Sequence, residues 1–312
     1  MRIRSVIFLT LISIGVYWNT LSNDFVAGDR QFILRNPQLG DYKAVLHSFT
    51  SDYWGNLGGE SFVYYRPITI LTHFIDYKLY RLHPAGHHFS NMVFHTIVTL
   101  LVYYLILNLS PFNPWSALVG GGLFALHPIH THSVSYVMGR TDILAALFFL
   151  CGLILLIGTT HHKERHQKGW KIVGACFCYL LALLCKEIAI TLPAIFFLYW
   201  YFWPSESRAQ KYSGFLVPFF ALCMTLAIYL LIRIMAVGIS APEGVIPSWY
   251  SLWQRACMVP ITCGFYLWKL FSPFRLCYYS NIIVPGSWGE LFKSAFFWVG
   301  ILFGLSFLFS IK

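Results

Sequence analysis

Long apolar runs separated by short polar breaks dominate the chain. Taken in order, they predict membrane helices at roughly 5–21, 88–108, 115–128, 141–159, 171–185, 188–203, 214–236, 253–271 and 290–311. Each approaches the about 20 residues that a helix needs to cross the hydrocarbon core. The first run follows Arg2 and Arg4, as a signal peptide would. Trp18-Asn19-Thr20-Leu21-Ser22 offers no small-residue cleavage site, so the run reads as an anchor. The largest break, 22–87, is too long for a simple connector and is rich in Phe, Tyr and Trp. It predicts a folded element held against the membrane interface. Within it, residues 67–82 alternate near helical spacing and predict a helix in the membrane plane.

Composition then fixes the class. Hydrophobic residues make up 57% and charged residues 11% of the 312, with a mean hydropathy of +0.62. A soluble domain carries about 25% charged residues. The expectation is an all-α polytopic membrane protein, one domain over 1–312 with eight or nine membrane helices. The eight cysteines lie mostly in or beside apolar runs, where cysteine acts as a small hydrophobe. Cys176-Phe177-Cys178 lacks the two-residue spacer of a zinc or redox motif. Neither disulfides nor a structural metal follow from them.

The net charge of +10 raises nucleic acid as a partner, and its distribution argues against it. Arg2 and Arg4 precede the first run. Lys163, Arg165, Lys168 and Lys171 separate the fourth from the fifth, and Arg208 and Lys211 the sixth from the seventh. If every run crosses once, all three clusters lie on one side, which the positive-inside pattern makes cytoplasmic. No basic face interleaved with aromatics remains for a nucleic acid. The same parity puts 22–87, 127–142 and the Cys185-Lys186-Glu187 turn on the opposite face.

Those outer segments carry the candidate chemistry. His127, His130, His132, Arg140 and Asp142 fall within sixteen residues between two apolar runs. Ionisable residues at a membrane boundary are costly unless they meet water, a partner or a substrate. The alternative is that they pair with other charges to satisfy a membrane edge. The histidines match no standard metal-ligand spacing, so a divalent cation is not implied. Lys186 and Glu187 read as a site pair or as an ion pair holding the sixth run. His88, Asn91 and His95 share a helix face at i, i+3 and i+7, a stripe that more often packs polar atoms between helices than binds a ligand. Tyr53, Trp54, Tyr64 and Tyr65 suit either sugar stacking or an interfacial belt.

Phe25-Val26-Ala27-Gly28-Asp29, with Ile33, Asn36 and Pro37, resembles the start of the first lumenal loop in a family of membrane glycosyltransferases. Tyr65-Arg66-Pro67-Ile68-Thr69 continues the likeness, as do His88, Asn91 and His95, His127-Pro128 with His130, Gly139-Arg140-Thr141-Asp142-Ile143-Leu144-Ala145, and Lys186-Glu187 with Pro193. The ordered set, over roughly residues 20–280, resembles the TMTC-type protein O-mannosyltransferases and their bacterial relatives, enzymes of the GT-C fold. The family usually carries an acidic pair where this chain has Gly28-Asp29, so only Asp29 is carried over. Eukaryotic members append tetratricopeptide repeats, and none follows within these residues. Acceptor recognition by such repeats is therefore not implied.

The resemblance implies transfer of a sugar, mannose in the family, from a polyprenyl-phosphate carrier to an acceptor hydroxyl on a protein or glycan outside the cytoplasm. Arg140, His127, His130, His132 and Lys186 then suit the anionic phosphate. Asp29 suits a general base in an inverting displacement. Asp142, Glu187, Arg66 and His88 are supporting candidates. The implied location is a multi-pass protein of the bacterial inner membrane or the endoplasmic reticulum, with its N-terminus cytoplasmic. Two other readings stay open, a non-catalytic membrane scaffold or degenerate relative, and a secondary transporter. Against the transporter, the charges gather at one face and no duplicated pattern is visible. Leu270–Cys277 also resembles the family's late segment. Strict parity puts it inside unless 253–271 is re-entrant or lies flat.

Overall fold

The computed structural model describes residues 2–36, 39–52, 64–109, 113–161, 165–202, 208–239, 251–274 and 293–310. Tyr53, Trp54 and the segment from Arg275 to Cys277 lie outside them. The chain packs as two compact units. One comprises Met1–Leu126 and Ser133–Ala241, the other His127–His132 and Pro242–Lys312. The reading as one domain stands beside this division, and each unit is described by itself.

The elements are α-helical, with short 3₁₀ and π turns and no strand among the described residues. They are α1 (Arg2–Tyr17), α2 (Tyr42–His47), α3 (Pro67–Tyr80), α4 (Pro84–Leu109), α5 (Pro114–Leu126), α6 (Thr131–Ser135), α7 (Arg140–His161), α8 (Arg165–Cys185), α9 (Leu192–Phe202), α10 (Arg208–Val237), α11 (Leu252–Phe271) and α12 (Ala295–Ser310). Pro67 and Pro84 open α3 and α4, where the missing N–H costs nothing. The helix expected over 67–82 is present as α3.

The expectation of eight or nine spanning helices stands beside a smaller set of long apolar ones. Among the described residues five helices are long and apolar enough to cross a membrane, over Arg2–Ser22, Pro84–Leu109, Val137–Thr159, Lys168–Cys185 and Phe215–Val237. Pro114–Leu126 is apolar but has 13 residues, about 20 Å of helix against a core about 30 Å thick. Glu187–Phe202 is likewise short. The polar Gln254, Arg255 and Lys269 keep α11 out of the set, and α12 has only 16 residues. Hydropathy marks apolar runs without fixing their length, and Gly, Pro and polar ends shortened these four.

In the first unit α4 pairs with α1 and α5, and α7 with α8. The main core fills the space between α7, α8, α9 and α10, with Leu156, Tyr179, Leu183, Leu192, Phe196 and Leu222 fully buried. The opposite faces stay apolar and exposed, as at Ile3, Leu11, Val217, Phe220 and Leu231. A helix surface of that character suits lipid, not water. The unit is a polytopic membrane bundle. A second core, Phe25, Phe32, Ile33, Leu39, Ile70, Val137 and Met138, seats the first loop on the end of the bundle. At the other end Trp115 and Trp170 are exposed, as in an interfacial belt, and Lys171 Nζ donates to the Gly158 carbonyl near the end of α7 (3.2 Å).

The second unit is built on the α11–α12 hairpin. Its axes approach through glycine: a Cβ on Gly264 would lie 1.9 Å from the Phe296 carbonyl oxygen, and one on Gly300 2.2 Å from that of Pro260. Small residues allow such close helix approach in membranes. Gly264→Val is therefore expected to push the two helices apart. A cysteine pair placed across the hairpin should cross-link in the parent and markedly less in the variant; equal cross-linking would exclude the close approach.

Candidate functional site

The first unit brings a set of buried and half-buried ionisable side chains together at the end of the bundle that carries the first loop. The loop begins with a left-handed residue, Ala27 at φ 45°. Non-glycine residues there cost of order 1 kcal/mol or more and cluster at sites that over-determine them. Two residues on, Asp29 is fully buried. Its Oδ1 accepts the Met138 N–H at 2.9 Å, and its Oδ2 lies 3.4 Å from the N–H groups of Val137 and Val26. Asp29 therefore ties the loop to the turn before α7. Burial pushes its carboxyl up to about 6, against the pull of those N–H groups and of Arg140. Its side chain does not cap the turn that follows, Arg30–Leu34.

Arg140 opens α7 and is fully buried. A cation at a helix N-terminus opposes the macrodipole and needs partners. Its Nε donates to Asn91 Oδ1 at 2.6 Å, and its Nη2 to Asp76 Oδ2 and to the His87 carbonyl at 3.1 Å. The Nη1 group has no hydrogen-bond partner among the described residues. Asp76 also accepts from Ser90 Oγ at 2.8 Å and lies 3.7 Å from His87 Nδ1. His87 Nε2 meets the carbonyl of Arg81, which ends α3 at φ 54°. His73 and His88 are fully buried, and neither ring nitrogen of either finds a hydrogen-bond partner among the described residues. Burial, with the charges of Arg140 and His87, holds His73 well below the usual imidazole range, so it is neutral.

Two ion pairs flank this centre. Asp142, in the first turn of α7, pairs with Lys186 Nζ, their side chains 36% and 28% exposed. Arg66 pairs with Glu187 at 3.0 Å, with side-chain exposures of 15% and 34%. Arg66 also lies over the Tyr64 ring, 4.5 Å from its centroid. Pairs this accessible contribute little to stability and can be opened by a competing anion. Thr69 Oγ1 donates to the Cys185 carbonyl at 3.4 Å, which holds the start of α3 to the end of α8. Asp29, Arg66, Arg140, Asp142, Lys186, Glu187 and His88 thus all lie at this one end.

The sequence also read His127–Asp142 as one wall, and the structure divides it. His127, His130 and His132 fall in the second unit. There His127 Nδ1 accepts the Ile129 N–H at 3.2 Å and Nε2 lies 2.9 Å from the Leu270 carbonyl. That pair of contacts requires the Nε2–H tautomer. Both nitrogens of His127 are thereby engaged by backbone. The His127 and His130 rings meet edge to face at 6.2 Å. Among the described residues no group of three or more His, Cys, Asp and Glu is arranged to hold a metal ion.

Sequence reasoning passed over Asp76 and His73 as site residues. The signal was present: Thr69, His73 and Asp76 recur at i, i+4 and i+7 and form the buried polar face of α3. The stripe on α4 packs polar atoms between elements. Asn91 bonds the 134–137 turn, and His95 Nε2 lies 3.3 Å from the Ala125 carbonyl.

The comparisons meet this geometry. Protein O-mannosyl-transferase TMTC3 of Homo sapiens is 32% identical over 197 residues, 62% of this chain and 21% of its own length. Protein O-mannosyl-transferase F38B6.6 of Caenorhabditis elegans is 36% identical over 199 residues, 61% of this chain and 27% of its own. Protein O-mannosyl-transferase Tmtc3 of Drosophila melanogaster is 30% identical over 229 residues, 65% of this chain and 25% of its own. The chain resembles the TMTC-type proteins. It spans between a fifth and a little over a quarter of the length of these curated relatives. No family model matches the chain, and no solved structure matches it.

Proposed function

We propose that the chain is the membrane glycosyltransferase portion of a GT-C-type enzyme. It moves mannose from a polyprenyl-phosphate carrier to a hydroxyl of a protein acceptor, on the face away from the cytoplasm. One observation carries this reading: a buried carboxylate, Asp29, shares a bundle end with the partly exposed, ion-paired cations Lys186 and Arg66. The O-mannosyl-transferase names of the relatives supply the sugar, the acceptor class and the reaction.

The roles follow from the chemistry. The donor's phosphate sits at headgroup level, where Lys186 and Arg66 exchange Asp142 and Glu187 for the anion. Arg66 offers a planar fork and Lys186 a point charge. Asp29 takes the proton of the acceptor hydroxyl as its oxygen attacks the anomeric carbon. The bond from that carbon to the phosphate oxygen breaks, and polyprenyl phosphate leaves on the opposite face of the sugar, with inversion. Arg140, fully buried and engaged with Asp76 and Asn91, serves from beneath by holding the centre together and by its charge. The expected result is that the purified protein in lipid transfers label from polyprenyl-phosphate mannose to a polypeptide acceptor. Label released only as free sugar, or none at all with acceptor and donor in excess, would reject the reading.

One observation favours a second reading, a non-catalytic membrane scaffold. Every oxygen of Asp29 is held by backbone N–H groups, and the carboxyl has no exposed surface. Substitution of Asp29 separates the two.

A further inference from the structure

We propose that Asn91 is a positioning residue for Asp29, acting through the peptide turn between Val134 and Met138. The inference rests on the reading of Asp29 as the base. Asn91 is fully buried on α4. Its Nδ2 faces three carbonyl oxygens of that turn, those of Val134 and Tyr136 at 3.2 Å and that of Val137 at 3.4 Å. Its Oδ1 accepts from Arg140 Nε at 2.6 Å. The amide has only one orientation that satisfies these partners, because carbonyls accept and a guanidinium only donates.

The same turn holds Asp29. Two successive peptide units are each used from both ends: the Tyr136 carbonyl faces Asn91 while the Val137 N–H faces Asp29, and the Val137 carbonyl faces Asn91 while the Met138 N–H makes the short bond to Asp29. Asn91 thus fixes the donors that fix the carboxylate. Among the described residues no hydrogen bond joins it to the carboxyl, to Lys186 or to Arg66. Val137 and Met138 are themselves buried in the core beneath the first loop, so without Asn91 the turn keeps its apolar seat and loses its alignment. A misplacement of about 1 Å in a reacting group can cost about 10²-fold in rate.

A merely structural asparagine and a positioning one differ in pH behaviour. Hydrogen bonds to a carboxylate favour its ionised form. Loosening the Val137 and Met138 N–H groups therefore raises the pH at which Asp29 ionises. The other titratable and charged groups of this centre are Arg140 on α7, Asp76 and His73 on α3, His87 and His88 on α4, and Asp24 and Arg30 on the loop itself. Asn91→Ala changes the charge of none of them. Asn91→Leu keeps nearly the same volume, adds no charge and removes the donors to the three carbonyls, so it serves if the alanine variant fails to fold.

The test measures turnover of labelled polyprenyl-phosphate mannose against pH in the parent, Asn91→Ala, Asn91→Leu and Asp29→Asn proteins. It also follows amide hydrogen exchange at Val137 and Met138. For both Asn91 variants we expect kcat lower by about 10- to 100-fold, donor KM within twofold or so, an acid limb displaced to higher pH and faster exchange at the two amides. A kcat loss that is uniform across pH, with the acid limb where the parent has it, overturns the inference and leaves Asn91 structural. Parent-like turnover in Asp29→Asn rejects the base reading instead. The exchange arm then decides alone: unchanged exchange at Val137 and Met138 in Asn91→Ala overturns the coupling, and faster exchange sustains it.

Discussion

Arg140→Ala is expected to cost the first unit about 3–5 kcal/mol of stability, the range for breaking a buried ion pair from one side. The partner left behind decides the size. Asp76 is 4% exposed, so without the guanidinium its charge is buried with only Ser90 Oγ and the more distant His87 ring nearby. Asn91 Oδ1 and the His87 carbonyl also lose their donor. Arg140→Lys should recover only part of the loss, since an ammonium cannot serve Asn91, Asp76 and the His87 carbonyl from one planar fork. Asp76→Asn in the Arg140→Ala background should recover part of it by a different route, by removing the stranded charge. Unfolding in detergent of the parent, Arg140→Ala, Asp76→Asn and the double variant gives the coupling as a double-mutant cycle. An Arg140→Ala protein as stable as the parent would mean that the ion pair does not form.

The class of fold was readable because lipid-facing helices must be apolar all round, and no arrangement of polar residues hides that. The length of each apolar helix was less so. Residues 115–128 and 188–203 looked like their neighbours in hydropathy, and only the position of Pro114, the break after Leu126 and the 3₁₀ turn at Glu187–Thr191 shortened them. Arg140, Asp142, Lys186 and Glu187 stood out as ionisable residues at the edges of apolar runs and Arg66 through the family resemblance, and these residues meet at one end of the bundle. What the sequence hid was the pairing. Nothing in the spacing says that Arg140 turns inward to Asp76, 64 residues away, while Asp142, two residues on, turns to Lys186. Asp76 and His73 were hidden by their place inside an amphipathic helix, where a polar residue ordinarily faces water. His127, His130 and His132 adjoin Arg140 in sequence and fall in the second unit.

Asp29→Asn is expected to lower kcat by roughly 10²-fold or more, the scale of a general base, with the fold kept. The fold survives because the amide oxygen can still accept the short Met138 N–H bond at 2.9 Å, and the two contacts at 3.4 Å are weak. A carboxyl raised to about 6 also couples stability and rate with opposite signs. The folded state favours the protonated form, so Asp29 contributes stability that is full below its ordinary pKa of 3.8 and lost as pH rises through about 6. The reaction needs the ionised form, so the rate should climb over that same interval. In Asp29→Asn the stability term should be absent, and the residual rate should no longer follow this ionisation.

Donor affinity and turnover, measured on one preparation of Asp29→Asn with labelled polyprenyl-phosphate mannose at neutral pH, test the central claim most directly. The phosphate is assigned to Lys186 and Arg66, away from the carboxyl, so affinity should stay near the parent value while turnover falls by roughly 10²-fold or more. Parent-like turnover in Asp29→Asn, or lost affinity with an unchanged maximal rate, would contradict the account and make Asp29 the structural tie that its backbone contacts alone describe.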